Sequence, residues 1–384
     1  VRRILYFQLF ASLFLWSNST KANSDLDSNS ALRRFEFSAY FETFFAHNFN
    51  RPLTSDLSVW SVNHAVHNQL SLNLGLIKSS YSNVSKTLSG HFGLHTGSYV
   101  VVNYATEPRF LRNVSEAYVK LKPQKNSAFQ LDFGIQSSHI GFESAIQNEN
   151  LTLTRSFIAE NSPYYMNGLK LTYVKSKSEN NSIDLSLIVS KGWQRIASEE
   201  KGDPLAKGTQ LKYQNKKHDL TLNWSTFYDK RTRQETNAII PTDSIIFRFF
   251  SNIYIQKNWK QRWVFHAGYD QGWSWHKHGS IGFAGIWYGG TVIAAYKLTE
   301  KLYCNARLEF YNDVHAIVTT TDFTGALQKN GVSLGLRYKL KTGDLRIEWK
   351  HLSSPNRIFA ANNGFALNAH VVSASFHLPL HFRK

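Results

Sequence analysis

Four charged side chains share one stretch that carries almost no strand signal. Glu143, Glu149, Arg155 and Glu160 lie within residues 139–166, beside the apolar Ile140, Phe142, Phe157 and Ile158. Two carboxylates such as Glu143 and Glu160 can act as general acid and base, but only where folding fixes their separation. The same charges set in an aqueous passage would instead govern which ions pass. Histidine offers a second chemistry. His276-x-His278 and His64-x-x-His67 are the closest pairs, and His91 and His95 share one face of a strand. None supplies a third and fourth ligand, so they read as polar wall and loop residues, and no metal or other cofactor is expected. A nucleophile is equally hard to find. The motif G-x-S-x-G is missing and Cys304 is the single cysteine, so no enzyme is expected.

What must position these residues is a set of strands. Strict alternation of apolar and polar residues marks a strand with two unlike faces. In "HVVSASFHLPLHFRK", Val372, Ala374, Phe376, Leu378, Leu380 and Phe382 are apolar, and Ser373, Ser375, His377, Pro379 and His381 separate them. Phe35, Phe37, Ala39 and Phe41 alternate with Glu36, Ser38, Tyr40 and Glu42. Leu70, Leu72, Leu74 and Leu76 line up opposite Ser71, Asn73 and Gly75. Further along, Leu302 to Phe310 alternates with Arg307 and Glu309 on its polar side, Val332 to Tyr338 with Arg337 and Lys339, and Leu345 to Trp349 with Arg346, Glu348 and Lys350.

A soluble sandwich also alternates. Here the polar face gathers opposite charges with small residues and histidines, and many strands run to about ten residues or more, the span of a tilted membrane strand. About sixteen strands are expected, with 14 to 18 open, including 35–48, 66–82, 87–103 and 367–382. Short connections such as "KPQKNS" and "KTG" alternate with long ones at 49–65, 104–112, 139–166, 195–205, 230–244, 273–280, 316–328 and 353–366. The fold class this predicts is all-β: a transmembrane up-and-down antiparallel β-barrel with short periplasmic turns and long extracellular loops. An even strand count lets the last strand pair with the first and leaves no edge. Apolar faces meet lipid. Glu36, Glu42, Arg307, Glu309, Arg337, Lys339, Arg346, Glu348 and Lys350 point into the lumen. Trp193, Tyr228, Trp259, Trp263, Trp273, Trp287, Tyr296 and Tyr303 supply aromatic girdles.

The chain opens differently. Arg2 and Arg3, the apolar run Ile4 to Trp16 and a small polar stretch have the order of a secretory signal peptide, expected over residues 1–22. A linker is expected over 23–34 and the barrel over 35–384. The formal charge is +17; residues 1–22 hold Arg2, Arg3 and Lys21 and no acid, so +14 remains without them. Such a surplus suggests anionic partners. No zinc-finger spacing, phosphate loop or basic helix points to nucleic acid. Acidic lipid headgroups of the outer membrane and small anionic solutes fit an exported chain better.

Five stretches carry a resemblance: "FETFFAHNFNRP" (41–52), "GLHTGSYVVVNYATEPRFLRNVSEA" (93–117), "GIQSSHIGFESAIQNENLTLTRSFIAENSPYYMNGLKLTY" (134–173), "SKGWQRI" (190–196) and "LEFYNDVHAIV" (308–318). They resemble the OmpL-like β-barrel porin family of Gram-negative bacteria, most specifically from His139 to Gly168. The resemblance spans nearly all of the expected mature chain. It implies an outer-membrane channel and names no solute. It departs at the end, where Arg383 and Lys384 follow Phe382.

The expected function is passive diffusion of small hydrophilic solutes, with an anion preference and with loop 139–166 folded inward as the constriction. A homotrimer is compatible with this. A substrate-specific channel and a plugged, non-channel surface barrel with an adhesin or assembly role remain the alternatives.

Overall fold

Long alternating segments can satisfy their backbone groups in lipid only by pairing all the way round, and these do. The computed structural model describes residues 35–382, except 55–56, 58–60, 179, 198–203, 235–242, 279–280, 316 and 319–326. The segment expected to be signal peptide and linker lies outside the described residues. The first half of the wall is β1 (Phe35–Asn48), β2 (Ser71–Ser82), β3 (Leu88–Thr96), β4 (Val114–Leu121), β5 (Phe129–Ser137), β6 (Tyr165–Ser178), β7 (Asn181–Ser190) and β8 (Ala206–Asn215). The second half is β9 (Leu220–Gln234), β10 (Asp243–Trp259), β11 (Trp263–His278), β12 (Ile281–Lys297), β13 (Leu302–Asp313), β14 (Leu327–Lys339), β15 (Asp344–Ser353) and β18 (Asn368–Phe382). Each strand pairs antiparallel with its neighbour, and β18 pairs with β1 from Phe37–Phe382 to Asn48–Val371, closing a sixteen-strand barrel. A small hairpin, β16 (Phe359–Ala361) and β17 (Gly364–Ala366), sits in the last long loop. Helix α1 (Ser98–Asn103) and the single turn α2 (Phe157–Glu160) belong to the second and third long loops. No helix among the described residues is long and apolar enough to cross a membrane.

The burial pattern gives the faces. In β13 and β15 Leu308, Phe310, Leu345 and Ile347 are exposed on the outside, whereas Arg307, Glu309, Arg346 and Glu348 are buried within. β18 follows the same rule: Ser373, Ser375 and His377 are buried, and the apolar set of the tail faces out.

Several expectations need correction. β2 does not keep one face throughout. Its register against β1 slips between Glu42 and Thr43, where Glu42 meets Leu74 and Thr43 meets Leu72. Asn73 is the extra residue, and a one-residue bulge reverses every side chain beyond it. Leu72 therefore faces out, while Leu74 and Leu76 are buried inside. The strand expected over 87–103 stops at Thr96 and passes into α1. β9, β10 and β11 run through much of the loops expected at 230–244 and 273–280. Three of the expected girdle aromatics are not on the outer rim. Trp193 lies in the fourth long loop against Phe227 and Phe250. Trp287 is fully buried on the inner face. Tyr303 also points inward, to Lys339 Nζ at 3.0 Å. Tyr228, Trp259, Trp263 and Trp273 do stand exposed on the outside.

Long loops fill the extracellular half of the lumen. One apolar cluster joins Phe44, Phe227, Phe250, Trp287 and Leu352 of the wall to Leu57, Ile140, Phe157, Ile317 and Phe359 of four different loops. A second joins Tyr40, Leu74 and Leu76 to Tyr99, Val100, Tyr104 and Ile196. Burying such side chains is worth about 1.5–3 kcal/mol each. That is the force drawing the loops inward.

Candidate functional site

The third long loop, 138–164, leaves β5 and returns as β6, yet its polar contacts lie on the far wall. Its first leg crosses the lumen. His139 Nε2 meets the Thr226 carbonyl at 3.0 Å, and the His139 carbonyl accepts from Gln210 Nε2 at 3.1 Å and Ser225 Oγ at 2.8 Å. Burial lowers the pKa of this imidazole to about 4 and so keeps it neutral. Gly141 N donates to Asn252 Oδ1 at 3.1 Å. Phe142 then lies against Gly268 of β11, where a Cβ would stand 2.7 Å from its ring and 3.0 Å from Ile158 Cδ1. Gly289 of β12 leaves similar room, its would-be Cβ 2.9 Å from Ile158 Cγ2. The two glycines form the seat on which the loop rests.

The second leg is fastened to wall charges. Leu153 N and Thr154 N donate to Glu348 Oε2 at 2.8 and 3.2 Å, and Thr154 Oγ1 donates to Glu348 Oε1. Arg307 Nη1 reaches Thr152 Oγ1 at 3.0 Å and the Thr154 carbonyl at 2.5 Å. Arg346 Nη1 reaches the Asn150 and Thr152 carbonyls, each at 3.0 Å. Phe157 N, at the start of α2, donates to Glu309 Oε2 at 2.7 Å. The Phe157 ring lies under Lys329 Nζ at 4.4 Å and Lys350 Nζ at 4.6 Å. The wall charges also pair with one another: Arg307 with Glu309 and Glu348, each at 3.2 Å, and Lys350 with Glu309 at 2.9 Å. An unpaired ion this deep would cost several kcal/mol. Here the loop's backbone groups and the opposite charges occupy the hydrogen-bonding positions.

The residues nominated from the sequence thus take different places. Arg307, Glu309, Arg346, Glu348 and Lys350 point inward but lie beneath the loop, each at most 5% exposed, rather than facing open water. Glu42 is fully buried, bonded by His64 Nε2 at 2.6 Å and Tyr40 OH at 3.1 Å. Arg337 pairs with Asp344 at 2.8 Å, Lys339 meets Tyr303, and Glu36 is exposed near the open end of β1. Within the loop, Glu143 accepts from Ser156 N and Oγ, and burial raises its pKa above the ordinary carboxylate value. Glu160 Oε2 accepts from Val62 N at 2.6 Å and Asn63 N at 2.9 Å, which ties the first long loop to the third. Arg155 is buried with its guanidinium 3.7 Å from the Tyr164 ring centre. Glu149 is exposed. Among the histidines, His67 bonds the Thr54 carbonyl, His91 stacks on Tyr118 and His95 bonds the Arg112 carbonyl. The side chain of His278 lies outside the described residues. Alternation alone missed Asp344, Lys329 and Asn252; the exposed Leu345 beside Asp344 and Ile253 beside Asn252 mark those two as inward, whereas Lys329 lies between the polar Gln328 and Asn330.

Beside the loop a cavity of about 380 Å³ remains. It runs from Lys78, His95 and Glu116 on one wall, past Glu143, Glu149 and Arg155, to Lys212 and Gln256 on the other. It holds both signs of charge and several tyrosines.

Comparison with known proteins follows the same lines. The sequence profile of the family described as "Putative beta-barrel porin-2, OmpL-like" matches residues 34–380. No curated protein matches the chain. Among solved structures, OmpF of Salmonella typhi in complex with daunomycin is similar at 9% identity and a TM-score of 0.56, covering 90% of this chain and 97% of that one. The outer membrane channel DcaP of Acinetobacter baumannii is similar at 10% identity and 0.55, covering 90% and 96%. In-vitro folded OmpT, an outer membrane protein of Vibrio cholerae in its trimer form, is similar at 10% identity and 0.50, covering 89% and 98%. At such identities the likeness is one of fold.

Proposed function

Because the chain belongs to the OmpL-like β-barrel porin family of the outer membrane, we propose that it conducts small hydrophilic solutes by passive diffusion, with loop 138–164 setting the bore. The observation that carries this reading is the clamp of that loop onto Arg307, Glu309, Arg346 and Glu348. A loop fastened at both legs to the far wall divides the lumen and leaves the neighbouring cavity as the route. Glu143, Glu149, Arg155 and Glu160 belong to the divider. Two of them, Glu143 and Glu160, hold the loop's own fold and its neighbour together, and Glu149 is the one free to meet solutes. Anion preference is supported by the formal charge of +14 that remains without residues 1–22, +17 less Arg2, Arg3 and Lys21. Acidic headgroups of the outer-membrane lipid take part of that surplus.

The trimer form of the Vibrio cholerae relative supports a homotrimer. So does an uneven wall: β3, β4 and β5 have 9, 8 and 9 residues, against 17, 16 and 17 in β10, β11 and β12. A tilted strand of eight residues covers only about 20 Å, less than the apolar band of about 25 Å, so a second copy is the better cover for that side.

One observation favours the plugged barrel. Two apolar clusters of buried side chains from wall and loops occupy the extracellular half of the lumen. Recording from refolded protein in planar bilayers separates the readings. Stepwise conductance that falls with increasing solute size supports a diffusion channel; a silent membrane from folded protein supports the plug.

A further inference from the structure

The wall charges expected to select ions are committed to the loop, so selection must come from elsewhere if the barrel conducts. Three lysines remain uncommitted. Lys120 of β4, Lys170 of β6 and Lys212 of β8 each lie between outward-facing residues: Val119 and Leu121, Leu169 and Leu171, and Leu211 are all exposed on the outside. Among the described residues, none of the three ammonium groups makes an ion pair or a hydrogen bond, whereas Lys78 on β2 pairs with Glu116 at 2.8 Å. Acids stand between them. Lys120 faces Asp132 across the sheet, Asp132 faces Lys170, and Asp184 faces Lys212. Asp132 is mostly buried and accepts from Gln130 Nε2 at 3.0 Å, so it offers little to a passing ion.

Register puts these lysines within about 6 Å of one depth. The paired row through Lys120 continues as Asp132, Lys170, Ile188, Gly208, Phe227, Phe250, Gly272 and Trp287. It starts one residue from the periplasmic end of β4 and ends ten residues from that of β12, so it climbs as strand number rises. With strands tilted about 40° and about 4.8 Å apart, the climb is about 3 Å per strand. Lys212 lies four residues toward the periplasm from Gly208, about 10 Å lower along the axis, which offsets most of the climb of about 12 Å from β4 to β8. Lys78 lies in the row of Gly93 and Glu116, four residues above Lys120, and the same arithmetic brings it to that depth. Lys78 and Lys212 both line the cavity beside the loop.

We propose that Lys120, Lys170 and Lys212, with Lys78 beside them, form an arc on the inner wall that selects anions and takes small organic solutes bearing carboxylate or phosphate. The proposal rests on the channel reading above and assigns its selectivity to residues on β4, β6 and β8 instead of β13 to β15. Alternate strands set neighbouring ammonium groups about 10 Å or more apart, so a monovalent ion meets one lysine at a time and passes from one to the next. Lys120, Lys170 and Lys212 are not tied down, so an oxyanion meeting them displaces only water.

The test is reversal potential across a potassium chloride gradient near 0.1 M, for wild type and for K120Q/K170Q/K212Q. One lysine about 10 Å from the path, screened over one Debye length, changes anion and cation occupancy by about 1.3-fold in opposite senses, so three change the permeability ratio about fivefold. The expected result is a fivefold fall in chloride preference with conductance retained, and weaker block of chloride current by added inorganic phosphate. K120R/K170R/K212R keeps the charge and is expected to keep the ratio; the single variants serve if the triple variant does not fold. A conducting wild type whose ratio the glutamines leave unchanged overturns the lysine assignment alone. A wild type that is folded and silent overturns it together with the channel reading.

Discussion

Glu348→Ala is the most direct perturbation of the loop clamp. The Glu348 carboxylate is 1% exposed and accepts from Leu153 N at 2.8 Å, Thr154 N at 3.2 Å, Thr154 Oγ1 and Arg307 Nη2 at 3.2 Å. Removing it strands two backbone donors and takes one of two carboxylates from a buried guanidinium. Breaking such a pair costs about 3–5 kcal/mol. The barrel hydrogen bonds are untouched, so the cost falls on docking of residues 150–156. The population with that segment lifted then rises by about 10² to several times 10³. Arg155 reports the change, because it is the one basic residue between His139 and Tyr164 and is 3% exposed. Trypsin is expected to cut the variant there and to leave Arg155 of the wild type uncut, since cleavage follows the population of the open form. Single-channel conductance is expected to rise and grow noisier. Resistance at Arg155 together with unchanged conductance would refute the claim that Glu348 holds the loop.

Four further outcomes follow from the same contacts. Gly268→Val should push Phe142 and Ile158 off β11 at a cost of about 1–3 kcal/mol, read as an earlier urea midpoint of the folded barrel in detergent. Glu42→Ala should cost about 2–4 kcal/mol, because His64 and Tyr40 lose a buried acceptor; a midpoint equal to wild type would show that the network contributes nothing. Burial raises the Glu143 pKa, so the folded loop binds more protons than the free one, and docking weakens as pH rises above the ordinary glutamate value. Tryptic cutting at Arg155 should therefore increase with pH beyond trypsin's own profile, and Glu143→Gln should remove the increase. Spin labels at Leu334 and Phe376 should be quenched by lipid-soluble oxygen, and a label at Ser333 should not.

Local pattern made part of this legible. β13, β15 and β18 alternate without a break, so their faces could be assigned residue by residue, and turn and loop lengths bracketed the strand count. The inward fold of the third loop was legible from its apolar residues, Ile140, Phe142, Phe157 and Ile158, which a loop in water has no use for. Its docking site was not. Leu153 meets Glu348 across 195 residues of chain, and no local signal encodes a partner so distant. The same gap explains why the β13–β15 charges were read as open to water. The slip at Asn73 inserts one residue into a run of leucines, and leucine fits either face. Trp287 misled for a related reason. An aromatic near a strand end reads as girdle until the empty space over Gly272 is seen to receive it. The lysine arc could have been found from Val119-Lys120-Leu121 and Leu169-Lys170-Leu171, but its common depth depends on register.

The seam between β1 and β18 has a consequence for assembly. Twelve residue pairs, Phe37–Phe382 through Asn48–Val371, join the two ends of the described chain. Contacts of such sequence separation are slow to form. Until they do, β1 and β18 both present bare edges that any other extended polypeptide could join. A nascent copy must therefore be escorted until its final ribbon has been made, and one cut short before Asn368 would invite aggregation rather than yield a smaller pore.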